Sequence, residues 1–218
     1  MEYIILNANM NSGKLIVFEG LDGSGKSTQS QLLVKNLNQL QKKSFLSVKP
    51  THFLIGGLIR SRLAGDWTCT SDCLQSLFLA DHLFSLEKEI QPRLKEGINV
   101  ISDRYFYSTY AYGALDCDKE WLITMNKNLP IPDLTIFLDL SVDKCLNRIK
   151  KERLSTELYE QYDKLAKIRS NYFDAFKIFS STNVLIIDAD RPVDEITYDI
   201  HEAVMQLLLH DYENDCIM

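Results

Sequence analysis

A glycine-rich segment near the start of the chain has the spacing of a phosphate-binding loop. Residues 20–28 read GLDGSGKST and fit the pattern G-x-x-x-x-G-K-[ST]. The glycines let backbone N–H groups turn inward around an anion at the start of a helix, Lys26 adds a positive charge near the outer phosphates, and the Ser27 hydroxyl can bind Mg²⁺. The residues expected to surround the phosphates of a nucleoside triphosphate are Gly20, Gly23, Ser24, Gly25, Lys26, Ser27 and Thr28.

Two charged residues follow a later apolar run, where residues 100–105 read VISDRY. A carboxylate at the C-terminal end of a parallel strand faces the ligand crevice of an open α/β sheet. Asp103 can therefore hold Mg²⁺ or its water shell, and Arg104 offers a planar fork suited to phosphate oxygens. Without other evidence, the pair would be equally typical of an aspartate that caps a helix beside a solvent-exposed arginine. Together with a phosphate-binding loop, it favours a site for phosphoryl transfer.

Three classes of protein bind a nucleoside triphosphate with such a loop, namely kinases, GTPase switches and motor-type ATPases. The guanine-reading pattern N-K-x-D does not occur, because Asn126-Lys127 is followed by Asn128-Leu129. A chain of 218 residues is short for a motor. The sequence therefore favours a kinase, whose chemistry needs alignment and charge neutralisation more than a covalent intermediate.

Short apolar runs alternate with helical patterns along the chain. They are apolar almost throughout, which is typical of strands covered on both faces. Strands that alternate with helices form a parallel sheet through crossover connections. The sequence predicts an α/β fold, a three-layer αβα P-loop domain with a five-stranded parallel sheet, as one domain over residues 1–218. The predicted strands are Leu15–Phe18, Ser44–Val48, Ile98–Ser102, Leu134–Leu140 and Asn183–Ile187.

Composition limits the expected partners and compartment. The chain has 24 Lys and Arg against 30 Asp and Glu, a net charge of −6, which argues against binding to a nucleic-acid backbone. No segment approaches the ~18 apolar residues of a membrane helix, and the N-terminal apolar run is too short for a signal peptide. The five cysteines form no C-x-x-C pair, which is typical of free thiols in a reducing compartment. We expect a cytoplasmic protein without a membrane or nucleic-acid partner.

Taken together, the motifs resemble the thymidylate kinase family over roughly residues 13–208. The resemblance is carried by GKLIVFEGLDGSGKSTQ at residues 13–29, KPT at 49–51, LFLAD at 77–81, DRY at 103–105, and PDL with FLD at 132–139. It implies transfer of the γ-phosphoryl group of ATP, with Mg²⁺, to a deoxynucleoside monophosphate. The expected acceptor is dTMP, the expected product is dTDP, and the expected assembly is a homodimer.

The resemblance also implies roles for single residues. Asp22 matches a loop carboxylate near the 3′-hydroxyl of the acceptor, Phe78 an aromatic ring that stacks on its base, and Tyr112 an aromatic ring near the 2′ position. Arg148 matches an arginine that lies against adenine, and residues 148–160 match a mobile lid. The expected acceptor-binding residues are Asp22, Phe78, His82, Arg104 and Tyr112.

The cation that stabilises the transition state is expected in the predicted lid. The variable positions of the phosphate loop carry no arginine, whereas residues 148–153 read RIKKER and hold four cations. A solvent-exposed helix face is the ordinary reading of such a run. The expected catalytic residues are Lys26, Asp22, Arg104 and Arg153.

The residues expected to read the base depart from the family pattern. The family's A-D-R is Ala80-Asp81-His82 here, so we expect His82, partly charged near neutral pH, in place of the arginine. The family's A-Y-Q ends here in Gly113, which has no side chain to read a base. An arginine usual after the Pro-Thr turn is also missing, and Arg60 is a weaker substitute. Two alternatives stay open: a kinase for another deoxynucleoside or nucleotide, and a weakly catalytic nucleotide-binding protein that acts through a partner.

Overall fold

A central parallel sheet organises the molecule. The computed structural model describes residues 9, 11–152, 159, 161–180 and 182–215. Five parallel strands lie in the order β2-β3-β1-β4-β5. They are β1 (Leu15–Gly20), β2 (Ser44–Val48), β3 (Asn99–Asp103), β4 (Leu134–Asp139) and β5 (Val184–Asp188).

Helices connect the strands and cover the sheet. Within the described residues they are α1 (Lys26–Gln39), α2 (Leu54–Ala64), α3 (Ser71–Ser85), α4 (Gln91–Lys95), α5 (Phe106–Gly113), α6 (Lys119–Asn126), α7 (Val142–Glu152), α8 (Tyr162–Ile178) and α9 (Val193–Asp215). A π-helical turn, Leu86–Ile90, joins α3 to α4. None of the described helices is long and apolar enough to cross a membrane.

The strand order reverses around β1, and this reversal creates the ligand crevice. From β1 the chain passes through α1 to the edge strand β2, while the later connections run in the opposite direction across the sheet. Because parallel crossovers are right-handed, the two directions place α1 and α5 on opposite faces. The reversal therefore opens a gap at the carboxyl end of β1, where α/β sheets of this kind bind ligands.

The predicted sheet is confirmed, with strand ends that differ by up to two residues. The largest difference is at β1, which extends to Gly20 because Glu19 and Gly20 pair with Phe137 and Leu138 of β4. Residues 148–152 of the predicted lid form the last part of α7, and Arg153 lies outside the described residues.

A tight turn at residues 49–51 connects β2 to α2 and is fixed by a carboxylate of α3. Asp81 accepts a hydrogen bond from the Thr51 N–H at 2.8 Å and from its hydroxyl at 2.5 Å. Helix α2 approaches this turn so closely that a Cβ atom at Gly56 would lie 1.9 Å from the Thr51 carbonyl oxygen. A residue without a side chain is therefore required at position 56.

Gly56 and its neighbour Gly57 provide a matched test of this packing. We expect Gly56→Ala to lower the free energy of unfolding by about 3 kcal/mol, because backbone must move to admit the methyl group. At Gly57 an added Cβ would meet Arg60 Nη2 at 3.9 Å, an ordinary contact. Gly57→Ala should raise stability by about 0.5–1 kcal/mol through helix propensity. Urea unfolding of both variants measures the difference, and equal stabilities would contradict the packing described here.

Candidate active site

A cavity of about 750 Å³ opens at the carboxyl ends of β1 and β3. This volume is ordinary for a small-molecule site. The lining includes residues 22–28 of the phosphate loop, but not Gly20, and the predicted acceptor residues Asp22, Phe78, His82, Arg104 and Tyr112. The structure thus brings the predicted acceptor-binding residues, and the predicted phosphate-binding residues other than Gly20, to one cavity.

The phosphate loop has the backbone conformation that its glycines allow. Gly23 and Gly25 have φ angles of 78° and 101°, in the left-handed region, and Gly25 is the N-terminal cap of α1. A Cβ atom at Gly23 would also lie 2.7 Å from the Cys145 carbonyl oxygen, so glycine is needed there for two reasons. The hydroxyl of Ser24 is buried and has no partner among the described residues. Such a loop presents a polar surface to an anion at the start of a helix.

Lys26 is held inside the loop. Its Nζ donates a hydrogen bond of 2.7 Å to the Leu21 carbonyl oxygen. Burial, together with the charge of Arg104, lowers the pKa of the Lys26 ammonium to about 8. A bound polyphosphate would raise that pKa again, because its negative charge favours the ammonium form.

Two oxygen ligands suited to Mg²⁺ meet beside the loop. The Ser27 hydroxyl donates a hydrogen bond of 2.7 Å to Oδ2 of Asp103, the last residue of β3. Among the described residues, no group of three His, Cys, Asp or Glu side chains forms a metal cage. Mg²⁺ commonly takes only one or two protein oxygens and completes its shell with water and substrate phosphates, so this pair fits it.

Arg104 is the centre of a polar cluster on the cavity wall. Its φ angle of 74° is unusual for a residue other than glycine, and such backbone strain is often found at functional sites. Its Nη2 lies 2.5 Å from Asp22 Oδ1, and its Nη1 donates to Ser108 Oγ at 3.0 Å. The Tyr112 hydroxyl donates to the other Asp22 oxygen at 3.0 Å. Asp22, Arg104 and Tyr112 are therefore in direct contact.

A buried carboxylate that the sequence prediction missed supports this cluster. Glu19 Oε1 accepts hydrogen bonds from the N–H groups of Tyr105 and Ser108 at 2.8 and 3.2 Å. Its Oε2 accepts from the hydroxyls of Ser108 and Tyr172 at 2.5 and 3.0 Å. Burial raises the pKa of Glu19, while these donors oppose the shift. The signal in the sequence is a carboxylate inside an otherwise apolar strand.

Helix α3 carries the side chains on the acceptor-base side of the cavity. Phe78, the predicted stacking ring, is half-buried there and lines the cavity. His82 is buried, and its Nε2 lies 3.2 Å from Thr109 Oγ1. Burial, together with the charge of Lys49, lowers the pKa of His82 to about 3. The expectation of a partly charged His82 is therefore wrong, because the ring is neutral near pH 7.

Gly113, where the family pattern has a glutamine, lies against helix α6. A Cβ atom at this position would lie 2.8 Å from Leu122 Cδ2 and 3.1 Å from Gln75 Cγ. Gln75 itself is a buried residue of α3 that lines the cavity, and the sequence prediction did not single it out. No local pattern marks it, since its place depends on how α3 packs against α5.

Arg60 and Lys49 are among the further cations that line the same cavity. Arg60 of α2 donates through Nη1 to the carbonyl oxygens of Pro50 and Thr51, at 3.0 and 2.5 Å. Lys49 is buried, and its Nζ contacts the hydroxyls of Ser47 and Ser85. Burial lowers the pKa of Lys49 to about 8. The sequence prediction assigned Arg60 only a weak role and Lys49 none.

Arg148, predicted to lie against adenine, lines the cavity beside the phosphate loop. Its Nη1 donates to the carbonyl oxygen of Gly23 at 3.3 Å, and its Nη2 donates to that of Ala189 at 3.3 Å. It therefore bridges the loop to the segment that follows β5. Arg153, the predicted catalytic cation of the lid, lies outside the described residues.

The chain is similar in sequence and in fold to known thymidylate kinases. The family model for thymidylate kinase matches residues 18–200. A probable thymidylate kinase of Pyrococcus horikoshii is 36% identical over 205 residues, covering 91% of this chain and 97% of that protein. The thymidylate kinase of Brachyspira hyodysenteriae is 37% identical over 200 residues, covering 89% of this chain and 94% of that protein. A solved thymidylate kinase structure from Candida albicans, described as revealing the origin of broad substrate specificity, matches with a TM-score of 0.74 and 29% identity, covering 89% of this chain and 92% of that one.

The lowered pKa of Lys26 predicts that binding of a nucleoside triphosphate takes up protons. In the free protein the ammonium titrates near pH 8, and bound phosphates shift that titration upward. We therefore expect uptake of about half a proton at pH 8 and almost none at pH 6.5. Calorimetry of ATP binding in two buffers with different ionisation enthalpies measures this number.

Lys26→Arg is the matched variant, because a guanidinium stays charged over this range. Its proton uptake at pH 8 should vanish if Lys26 is the group that titrates. Undiminished uptake in this variant would assign the titration to another group, with Lys49 the first to examine.

Proposed function

The chain belongs to the thymidylate kinase family, and we propose that the cavity at the ends of β1 and β3 is its active site. The reaction is the transfer of the γ-phosphoryl group of ATP to dTMP, which gives dTDP and ADP. One observation carries the assignment of the site: the phosphate loop, the Ser27–Asp103 oxygen pair and the Arg104 cluster converge on one cavity.

On the donor side, ATP binds with its outer phosphates against the backbone of residues 20–28 and the ammonium of Lys26. The left-handed glycines and the unpartnered Ser24 hydroxyl support this role. Mg²⁺ is held by the Ser27 hydroxyl and the Asp103 carboxylate. When bound, it neutralises charge on the phosphate oxygens. Arg148 lies against adenine, as the resemblance to the family implies, and its place in the cavity lining supports this role.

On the acceptor side, Arg104 binds the phosphate of dTMP and Asp22 accepts a hydrogen bond from its 3′-hydroxyl. Their mutual contact of 2.5 Å in the free protein supports this assignment, since the sugar and phosphate can take over bonds that the two side chains now make to each other. Tyr112 lies beside the sugar, and Phe78 stacks on the base. Arg60 is a second candidate for the acceptor phosphate, because it lines the same cavity.

Catalysis follows from alignment and charge. An oxygen of the dTMP phosphate forms a bond to the γ-phosphorus while the bond from that phosphorus to the β,γ-bridging oxygen breaks, and ADP leaves. Lys26 and Arg104 stabilise the charge on the transferred group, which is where preorganised cations are most effective. We propose that Arg153 adds a further cation when the lid, residues 148–160 of this one-domain protein, covers ATP.

We also propose that the protein is a homodimer that works in the cytoplasm. Support for a dimer comes from an apolar face on α2 and α3, where Leu54 is 90% exposed and Leu58 and Leu83 are also exposed. A cluster of this kind marks an interaction surface. Support for a reducing compartment comes from the free thiols of the four described cysteines, Cys69, Cys73, Cys117 and Cys145.

Light scattering of the purified protein tests the dimer. We expect about twice the chain mass of 25.1 kDa, and Leu54→Glu should halve the measured mass because it places a charge on the apolar face. A monomeric native protein would contradict the proposal.

Arg104→Ala tests the active site. We expect kcat for dTMP to fall by about 10²–10³, while KM for ATP changes little, since Arg104 acts on the acceptor and on the transition state. The matched control is Arg93→Ala, which removes a guanidinium that stacks on Phe45 at 3.7 Å outside the cavity. This control should keep its kcat.

Coupled detection of ADP, with chromatography of dTDP, measures both variants. Wild-type protein that forms no dTDP from ATP and dTMP would contradict the function. An unchanged kcat in a folded Arg104→Ala variant would contradict the site.

A further inference from the structure

Three buried polar atoms on the cavity side of α3 have no hydrogen-bond partner among the described residues. They are Oε1 and Nε2 of Gln75 and Nδ1 of His82. Gln75 is 1% exposed and His82 is 2% exposed, and both line the cavity. With Phe78 between them, they occupy positions i, i+3 and i+7, so all three lie on one helical face. The unpartnered atoms therefore flank the ring that is proposed to stack on the acceptor base.

Another glutamine of the cavity lining differs from Gln75 in this respect. Gln29 of α1 also lines it and is buried, yet both ends of its amide are paired. Its Nε2 donates to the Val193 carbonyl oxygen at 3.0 Å, and its Oε1 accepts from the Thr197 hydroxyl at 2.9 Å. A buried amide without such partners is costly, and natural structures avoid it unless something else satisfies it. A base bound in the cavity would supply such partners.

We propose that Gln75 reads the base edge of the acceptor nucleotide, with His82 Nδ1 as a second polar contact. The inference rests on the proposed function, because the cavity must hold a deoxynucleoside monophosphate. Thymine presents a donor, N3–H, next to an acceptor, O4. A primary amide presents one acceptor and two donor hydrogens, so Gln75 can pair with both positions at once.

The residue at position 113 explains why the amide comes from α3. An added Cβ there would lie 3.1 Å from Gln75 Cγ, so a larger side chain at 113 would compete for the space that Gln75 occupies. Glycine at 113 and glutamine at 75 fit together as a pair. The side chain missing from α5 is thus replaced by one from the neighbouring helix.

The same geometry gives the site a broad choice of pyrimidine. No described residue fixes which end of the Gln75 amide carries the nitrogen, so rotation of the amide by 180° would also match cytosine. His82 is similarly adaptable, since its Nε2 can donate to Thr109 Oγ1 or accept from it, and Nδ1 then takes the opposite role. Gln75 therefore pairs with a base edge that offers one donor next to one acceptor, and it distinguishes thymine from cytosine only weakly.

Gln75→Leu separates this role from a structural one. The variant removes two unpartnered polar atoms, so the Tm of the free protein should stay level or rise. Its kcat/KM for dTMP should fall about 10–100-fold, the value of a lost pair of substrate hydrogen bonds. Gln29→Leu is the matched control: it breaks two bonds, so its Tm should fall, while its ratio of dTMP to dCMP activity should stay that of the wild type.

Gln75→Glu tests the donor half of the contact. A carboxylate accepts hydrogen bonds but donates none, so it can still accept from N3–H of thymine or from the amino group of cytosine, while O4 of thymine or N3 of cytosine loses its donor. We expect kcat/KM for dTMP and for dCMP to fall together, each about tenfold or more. A residue that only supports the packing of α3 would leave both values at those of the wild type.

Calorimetry of dTMP binding in the absence of ATP tests the inference independently of catalysis. A higher Kd for dTMP in Gln75→Leu, with an unchanged or raised Tm, supports the inference. Wild-type dTMP affinity in this variant, or a lowered Tm with wild-type acceptor kinetics, would overturn it and make Gln75 a packing residue. Failure of the wild type to form dTDP would instead count against the proposed function.

Discussion

The carboxylate of Glu19, fully buried at the end of the central strand, is the group on which the arrangement of the active site depends. A buried charge is costly unless hydrogen bonds surround it. Here four bonds come from Tyr105, Ser108 and Tyr172, on the segment after β3 and on α8. The need to satisfy one carboxylate therefore draws three separate segments together. Ser108, held in this way, in turn contacts Arg104 and orients it toward the cavity.

The cavity has two halves, which differ in whether their key polar side chains already have hydrogen-bond or ion-pair partners within the protein. In the phosphate half, the charged groups already bind one another: Arg104 pairs with Asp22, and Asp103 accepts from Ser27. Such preorganisation lowers the cost of arranging charge during phosphoryl transfer. In the base half, the amide of Gln75 and one nitrogen of His82 lack partners among the described residues. The first half resembles the family closely, and the second is where this chain differs from it.

The sequence predicted the parts of the molecule that depend on local pattern. Apolar runs located the five strands, and the loop glycines located the phosphate site, because each follows from neighbouring residues. The neutral state of His82 could not be predicted, since it results from burial and from the charge of Lys49 on another segment. Gln75 was missed for the same reason: its importance depends on how α3 packs against Gly113 of α5.

A crystal structure of the protein with dTMP bound tests this division of the cavity most directly. The base should stack on Phe78, and the amide of Gln75 should lie about 2.7–3.2 Å from N3 and O4 of thymine. The phosphate should contact Arg104. A base bound elsewhere, with Gln75 and His82 still unpartnered in the complex, would contradict the assignment of the base half to α3.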